Sequence, residues 1–232
     1  MIISRRIVGI DIFFNDNFLN VMSVMKYAVI CSGVPKLFSF DQGKPYKNKQ
    51  MELLVSRISS SLNFTAPYSP TSKAKLERFF YTMKSRWMSG LKASDFKSLD
   101  ELRASLFKYV DEYNKTPHSS LEGMSPEHRF FEDSSRIRRL DDEAIDRSFL
   151  LEEERRVTAD SVVTLNKVLY EVHYRFANQR LTLRYAPDVS QVFIVDKFTN
   201  ELTPIKLLKK QENAHVKREK VRLTGGDEDE LS

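Results

Sequence analysis

The chain of 232 residues has one cysteine, Cys31. A disulfide framework is excluded, and a reduced, intracellular setting fits. Cys31 lies in an apolar helical stretch and is expected as a buried structural thiol. No apolar run approaches the ~20 residues of a membrane span, so no membrane partner is expected. Residues 1–10 are no signal peptide, because the apolar part is short and Arg5 and Arg6 interrupt it. A cytoplasmic location is expected, nucleoid-associated if the source is bacterial. No internal repeat is visible, and neither sign of charge dominates: 37 Lys and Arg face 32 Asp and Glu, with a formal net charge of +5 and a pI near 9.1. That balance leans modestly towards an anionic partner. With 41% hydrophobic residues, the chain can fill one good core and a smaller one, or about two domains.

What is present reads first as an α/β layer. Residues 7–14 look like a strand of β-branched and aromatic side chains, with Asn15-Asp16 as a cap signal. A helix follows, with Phe18, Val21, Met22, Met25 and Val29 at helical spacing. Gly33 and Pro35 close it, and residues 36–40 form a second strand. A helix over 49–59, with Met51, Leu54, Val55 and Ile58 inward, precedes a third strand over 61–65. After Pro67-Tyr68-Ser69-Pro70 comes a basic helix whose expected core face is Leu76, Phe79, Phe80, Met83 and Trp87. At roughly 100° per residue, Lys75, Arg78 and Arg86 share one flank, and Glu77 shares the other with Lys73, Tyr81 and Lys84. A helix over about 99–113 and a short one begun by Ser125-Pro126 follow. Residues 141–155 read as a charged helical linker. Residues 156–208 hold about five short β-like runs separated by turn signals, and are expected to form a small all-β barrel. The charged tail, 209–232, is expected to be disordered.

Asp41 and Glu77 carry the chemistry. Asp41 ends the apolar run Leu37-Phe38-Ser39-Phe40, where ligand sites of α/β sheets lie. Gly43 then permits close backbone approach. Glu77 sits among Lys73, Lys75, Arg78, Lys84 and Arg86. Those cations can face phosphates while the carboxylates face a divalent metal, the apparatus for breaking and joining phosphodiesters. Taken singly, each acid has a plainer reading, as a turn residue and a solvated helical residue. The Pro117-His118 pair likewise reads as a local cap or a core histidine.

The segments Phe40-Asp41-Gln42-Gly43, Pro67-Tyr68-Ser69-Pro70 and Lys75-Leu76-Glu77-Arg78-Phe79-Phe80 resemble the catalytic core of DDE transposases and retroviral-type integrases. Tyr113-Asn114, Pro117-His118, Leu121 and Ser125-Pro126 resemble the downstream part of the same core, and the β-rich remainder is similar to the C-terminal barrel of Mu-type transposases. The resemblance implies an RNase H-like core in residues 1–140. There three carboxylates hold two Mg²⁺ (or Mn²⁺) ions for strand cleavage and transfer to a DNA 3′-hydroxyl. Asp41 matches the second acid and Glu77 the third, with Gln42 departing from the usual Asn. Tyr68, Lys73, Lys75, Arg78, Lys84 and Arg86 are the implied DNA contacts, and a homo-oligomer on DNA is the implied assembly. The first acid has no match: the first two strands of the core would precede Met1. Asp11 lies on a strand of the wrong identity. The resemblance therefore implies an incomplete core, truncated at its N-terminus, of low stability and inactive alone. Backbone groups along the strand that ends at Asp41 would lose partners, at ~1–3 kcal/mol each if buried. Two other readings stay open: a non-catalytic DNA-binding or assembly remnant, and an unrelated nuclease with a self-sufficient two-carboxylate site.

Overall fold

The structure, a computed structural model, describes residues 4–65 and 70–208, with the backbone alone at 70–73, 75 and 93. The tail 209–232 and Tyr68 lie outside the described residues. The chain divides into two compact units, Met1–Glu152 with Tyr185–Ser190, and Glu153–Arg184 with Gln191–Ser232.

In the first unit, helix α1 (Phe18–Ser32) starts at Asn17, whose side chain accepts from the Asn20 amide. The cap is thus one residue beyond the Asn15-Asp16 signal. The helix ends at Gly33, where φ is +81° and a Cβ would lie 2.5 Å from Ile137 Cγ2, so glycine is required on both counts. Met22, Met25 and Val29 point inward. Cys31, two positions past Val29, lies on the opposite side and is exposed, which corrects the expected buried thiol. The helical spacing of Met22, Met25 and Val29 already turns position 31 away from the core, so the apolar setting of Cys31 in the sequence misled.

Strand β1 (Leu37–Phe40) pairs in parallel with β2 (Ser61–Phe64), and α2 (Lys49–Arg57) connects them. The register runs from Leu37 opposite Ser61 to Phe40 opposite Phe64. Met51, Leu54, Val55 and Ile58 are buried as expected, against Met22, Met25 and Val29. Among the described residues β1 has β2 as its one ladder neighbour.

Helices α3 (Pro70–Arg86) and α4 (Leu99–Lys115) build a second core with Ile7, Phe79, Leu106 and Val110 at its centre. The short helix α5 (Pro126–Phe131) begins as expected, with Ser125 accepting from the His128 amide and proline at the first position.

Residues 7–14, expected as a strand, are not one. The stretch packs like a strand: a Cβ on Gly9 would meet Val24 and Ala28 of α1 at 3.1–3.2 Å, and Ile7 enters the second core. What it lacks is a ladder. Buried Asn114 substitutes for a neighbouring strand at one residue, accepting from the Ile7 amide at 2.9 Å and donating to its carbonyl at 3.0 Å. Removing this side chain leaves two backbone groups unsatisfied. Asn114→Ala should therefore lower unfolding stability in urea by about 2–4 kcal/mol. Asn114→Asp, which turns a buried carboxylate oxygen towards the Ile7 carbonyl, should cost at least as much; an alanine variant as stable as the parent contradicts the clamp.

Helix α6 (Asp142–Ser148) follows, capped by Asp141. Residues 141–155, expected as a helical linker, hold α6 and then most of the strand β3 (Leu151–Arg156). Its run of charges hid it from sequence reading. It is an edge strand, where charges are tolerated, and its first residues are held by α2. The Gln50 amide pairs with the Glu152 backbone, and Arg57 binds the Glu152 carboxylate at 2.7 Å.

The described part of the second unit is built of strands, with one 3-10 turn at Tyr174–Phe176. Strands β4 (Val162–Leu165), β5 (Val168–Glu171), β6 (Arg180–Tyr185), β7 (Val192–Val195), β8 (Leu202–Pro204) and β9 (Lys206–Leu207) form two sheets, ordered β3-β6-β7-β8 and β4-β5-β9. Asn166 and Lys167 both have positive φ, as the two-residue β4–β5 hairpin requires. Val157, Val163, Leu165 and Leu183 are fully buried. No closed barrel forms among the described residues, which corrects that expectation: closure needs every strand paired on both sides, and each sheet ends in free edges. Strands of two and three residues, β9 and β8, were too short to read from the sequence.

Candidate functional site

Because β1 and β2 are parallel, both end at the same sheet edge. The Thr65 amide continues the pairing by donating to the Phe40 carbonyl at 2.8 Å. Asp41 is the next residue after β1 and is exposed at that edge. Its Oδ1 accepts from the Gly43 amide at 3.0 Å. A Cβ on Gly43 would sit 3.0 Å from that same oxygen and 3.3 Å from the Tyr46 ring, so the turn is tight. Tyr46 in turn stacks on Phe40 at 4.8 Å. Its phenol is pushed up by burial and, to a lesser degree, by the negative charges of Asp16 and Asp41.

The chain leaves β2 at the same edge and enters α3 at Pro70. Glu77, some ~10 Å along that helix at 1.5 Å per residue, is exposed. Arg78, Lys84 and Arg86 are exposed as well. The side chains of Lys73 and Lys75, like Tyr68, lie outside the described residues. The inward face of α3 is Phe79, Met83 and Trp87, at spacing i, i+4, i+8. Trp87 donates to Ser105 Oγ of α4 at 3.0 Å, and Phe79 meets Tyr113 edge-on. Leu76 and Phe80, expected inward, are nearly half exposed; Leu76 continues the stripe of Phe79 and Met83 one turn towards the helix start, and Phe80 lies at its flank. A 17-residue helix held at one stripe leaves the neighbouring apolar positions in water.

Asp11 takes a structural role. Its Oδ1 receives Arg103 Nε at 2.8 Å, and the same guanidinium donates to the Ile12 carbonyl. Among the described residues, no three His, Cys, Asp or Glu side chains gather where they could share a metal. The three-carboxylate set that the resemblance implies for two ions is thus not assembled among the described residues.

His118 caps a short 3-10 turn at Ser119–Leu121, its Nδ1 lying 3.2 Å from the Ser120 amide that it accepts. The local-cap reading of the sequence holds. Burial, and then Arg5 and Arg86, push its pKa below the ordinary 6.5. The native state thus resists the proton that the unfolded chain takes up near that pH. Between the two pKa values the unfolded chain binds more protons, so stability falls as pH drops below about 6.5. His118→Asn, which can still cap, should flatten that dependence in urea melts; an unchanged pH profile contradicts it.

Residues 58–126 match the integrase core domain. Glu77 lies inside that span and Asp41 outside it. No curated protein matches the chain in sequence. Among solved structures, the catalytic core domain of BIV integrase is 19% identical with a TM-score of 0.43, over 53% of this chain and 76% of that one. A simian T-cell lymphotropic virus intasome in complex with PP2A regulatory subunit B56 gamma is 14% identical with a TM-score of 0.40, over 84% of this chain and 64% of that one. The stretch that holds Glu77, its basic helix and the Asn114 clamp is similar to an integrase core domain.

Proposed function

We propose that this chain is the DNA-binding part of an integrase or transposase of a mobile element, acting in the cytoplasm as a homo-oligomer on DNA ends and target. In this reading residues 1–140 are a partial RNase H-like core, and 156–208 are the all-β domain of a Mu-type transposase. The observation that carries it is the integrase core match over 58–126, which includes an exposed basic helix with Glu77 among Arg78, Lys84 and Arg86. Helical cations on a solvent face suit phosphates, which supply most of the sequence-independent affinity for DNA. Tyr68, Lys73 and Lys75 belong to the same proposed surface.

Asp41 and Glu77 would hold a divalent cation, Mg²⁺ or Mn²⁺. Two carboxylates are the ligand set of one loosely held ion, and no strand-cleaving step is assigned to this chain alone. The second reading is a non-catalytic DNA-binding or assembly remnant of a mobile element, which needs no gathered acids. Duplex binding followed by fluorescence anisotropy tests the shared claim. Glu77→Gln should bind duplex DNA at least as well as the parent, since it removes a negative charge beside phosphates. A parent chain with no affinity for DNA at low salt sinks both readings.

A further inference from the structure

Asp41 stands on a turn that is tied down at both ends. At the near end its Oδ1 accepts from the Gly43 amide, one step past β1. In the middle the Gly43 carbonyl accepts from two amides, Tyr46 at 3.0 Å and Lys47 at 2.9 Å. At the far end Asn48 donates to the Pro45 carbonyl at 2.9 Å and accepts from the Met51 amide at 3.0 Å. The turn is thereby joined to the start of α2.

One side chain links these ties to the core. The Tyr46 ring lies parallel to Phe40, with centroids 4.8 Å apart and planes within 8°. Phe40 is stacked in turn on Phe38, at 6.0 Å and 10°. All three rings pack against the core around Met22, Met25 and Leu54. The Tyr46 ring also closes over Gly43. A Cβ on that glycine would lie 3.3 Å from Tyr46 Cδ2, 3.6 Å from Cε2 and 3.0 Å from Asp41 Oδ1. Ring, bare glycine and carboxylate therefore form one close-packed group, and the missing methyl is the room they share. An exposed carboxylate loses side-chain freedom when it takes up a cation; fixing it beforehand removes much of that cost.

We infer that Tyr46, seated between Phe40 and Gly43, is a positioning residue that holds the Asp41 carboxylate in place for a divalent cation. The inference rests on the proposed reading of Asp41 as a metal ligand and adds no ligand to it. Calorimetric titration of the full chain with Mn²⁺ tests it, with urea unfolding alongside. Tyr46→Phe keeps the stack and should bind as the parent does. Tyr46→Ala should weaken Mn²⁺ binding roughly ten-fold, the scale for losing a group that orients a metal ligand. That variant also loses core packing, so Gly43→Ala separates the two effects. Gly43 has no positive φ, and its backbone accepts alanine. The new methyl must instead push Asp41 Oδ1 aside, so Mn²⁺ binding should weaken while the urea midpoint stays nearly unchanged. Tb³⁺ gives a second readout that fold stability does not move. The tyrosine-sensitised emission that Asp41→Asn abolishes should drop in Tyr46→Phe, where the ion is still held but the phenol beside it is gone. Parent-like Mn²⁺ affinity in either alanine variant overturns the inference, as does a loss in Tyr46→Phe equal to that in Tyr46→Ala. If those results come while Asp41→Asn still abolishes binding, the metal reading stands without the inference. A parent chain that binds no Mn²⁺, or binds it no better than Asp41→Asn, removes both.

Discussion

Raising salt from about 50 to about 200 mM should weaken duplex binding by this chain roughly forty-fold through α3 alone. The magnitude comes from three described cations, Arg78, Lys84 and Arg86, all exposed and all within three turns of Glu77. Each phosphate neutralised by Lys or Arg releases counterions and contributes about −0.9 to the slope of log K against log salt. Replacing all three by glutamine should therefore flatten that slope by about 2.7, with most of the affinity loss appearing at low salt. The core face of α3 is untouched by these changes, since Phe79, Met83 and Trp87 make its packing contacts, so thermal stability should hold within about 0.5 kcal/mol. Arg147→Gln serves as a control. Arg147 is paired with Glu143 on α6, and its loss should leave the slope alone. A triple variant with the parent slope would show that α3 is only a solvated face.

The second large effect concerns catalysis. Incubated alone with Mg²⁺ or Mn²⁺ and a DNA carrying a free 3′-hydroxyl, the chain should give no detectable joined product. In-line displacement at a phosphodiester needs charge stabilisation on both the attacking and the leaving oxygen, which two bridged ions supply. The resemblance implies three carboxylates for two ions, and the described residues bring no such set together. Asp11 cannot complete it without abandoning Arg103. Calorimetric titration should instead find weak Mn²⁺ binding that Asp41→Asn or Glu77→Gln abolishes. Robust joining by the unaccompanied chain would overturn the incomplete-site reading. Cleavage without joining, lost in Glu77→Gln, would favour a self-sufficient two-carboxylate nuclease.

Much of the first unit was legible because its signals are local. Ser125-Pro126 starting α5 satisfies amides that a helix start leaves open, and the read starts of α2 and α4 fall where Asn48 and Ser98 do the same in the structure. The inward set Met51, Leu54, Val55 and Ile58 follows from helical period alone. Asp41 at a strand end and Glu77 on a basic helix were equally visible, since each position depends only on its own element. What failed depended on neighbours. Residues 7–14 have strand composition, but a strand exists only with a partner, and Asn114 supplies a partner at a single residue. Strand β3 has the wrong composition, yet forms because β6 pairs with it. Leu76 and Phe80 were apolar residues assigned inward when only the packed face of the helix could decide.

The amino-acid order alone determined the helices, the tight β4–β5 hairpin, the placement of two acids at a strand end and on a cationic helix, and the change to β structure in the second unit. These rest on caps, turn residues and periodicity, which act over a few neighbouring residues. Only the tertiary structure decided that Asp11 belongs to Arg103, that Asn114 holds Ile7, and that the β strands form two open sheets. Each of these turns on side chains or strands far apart along the chain, and burial, pairing and partner choice are set where such segments meet.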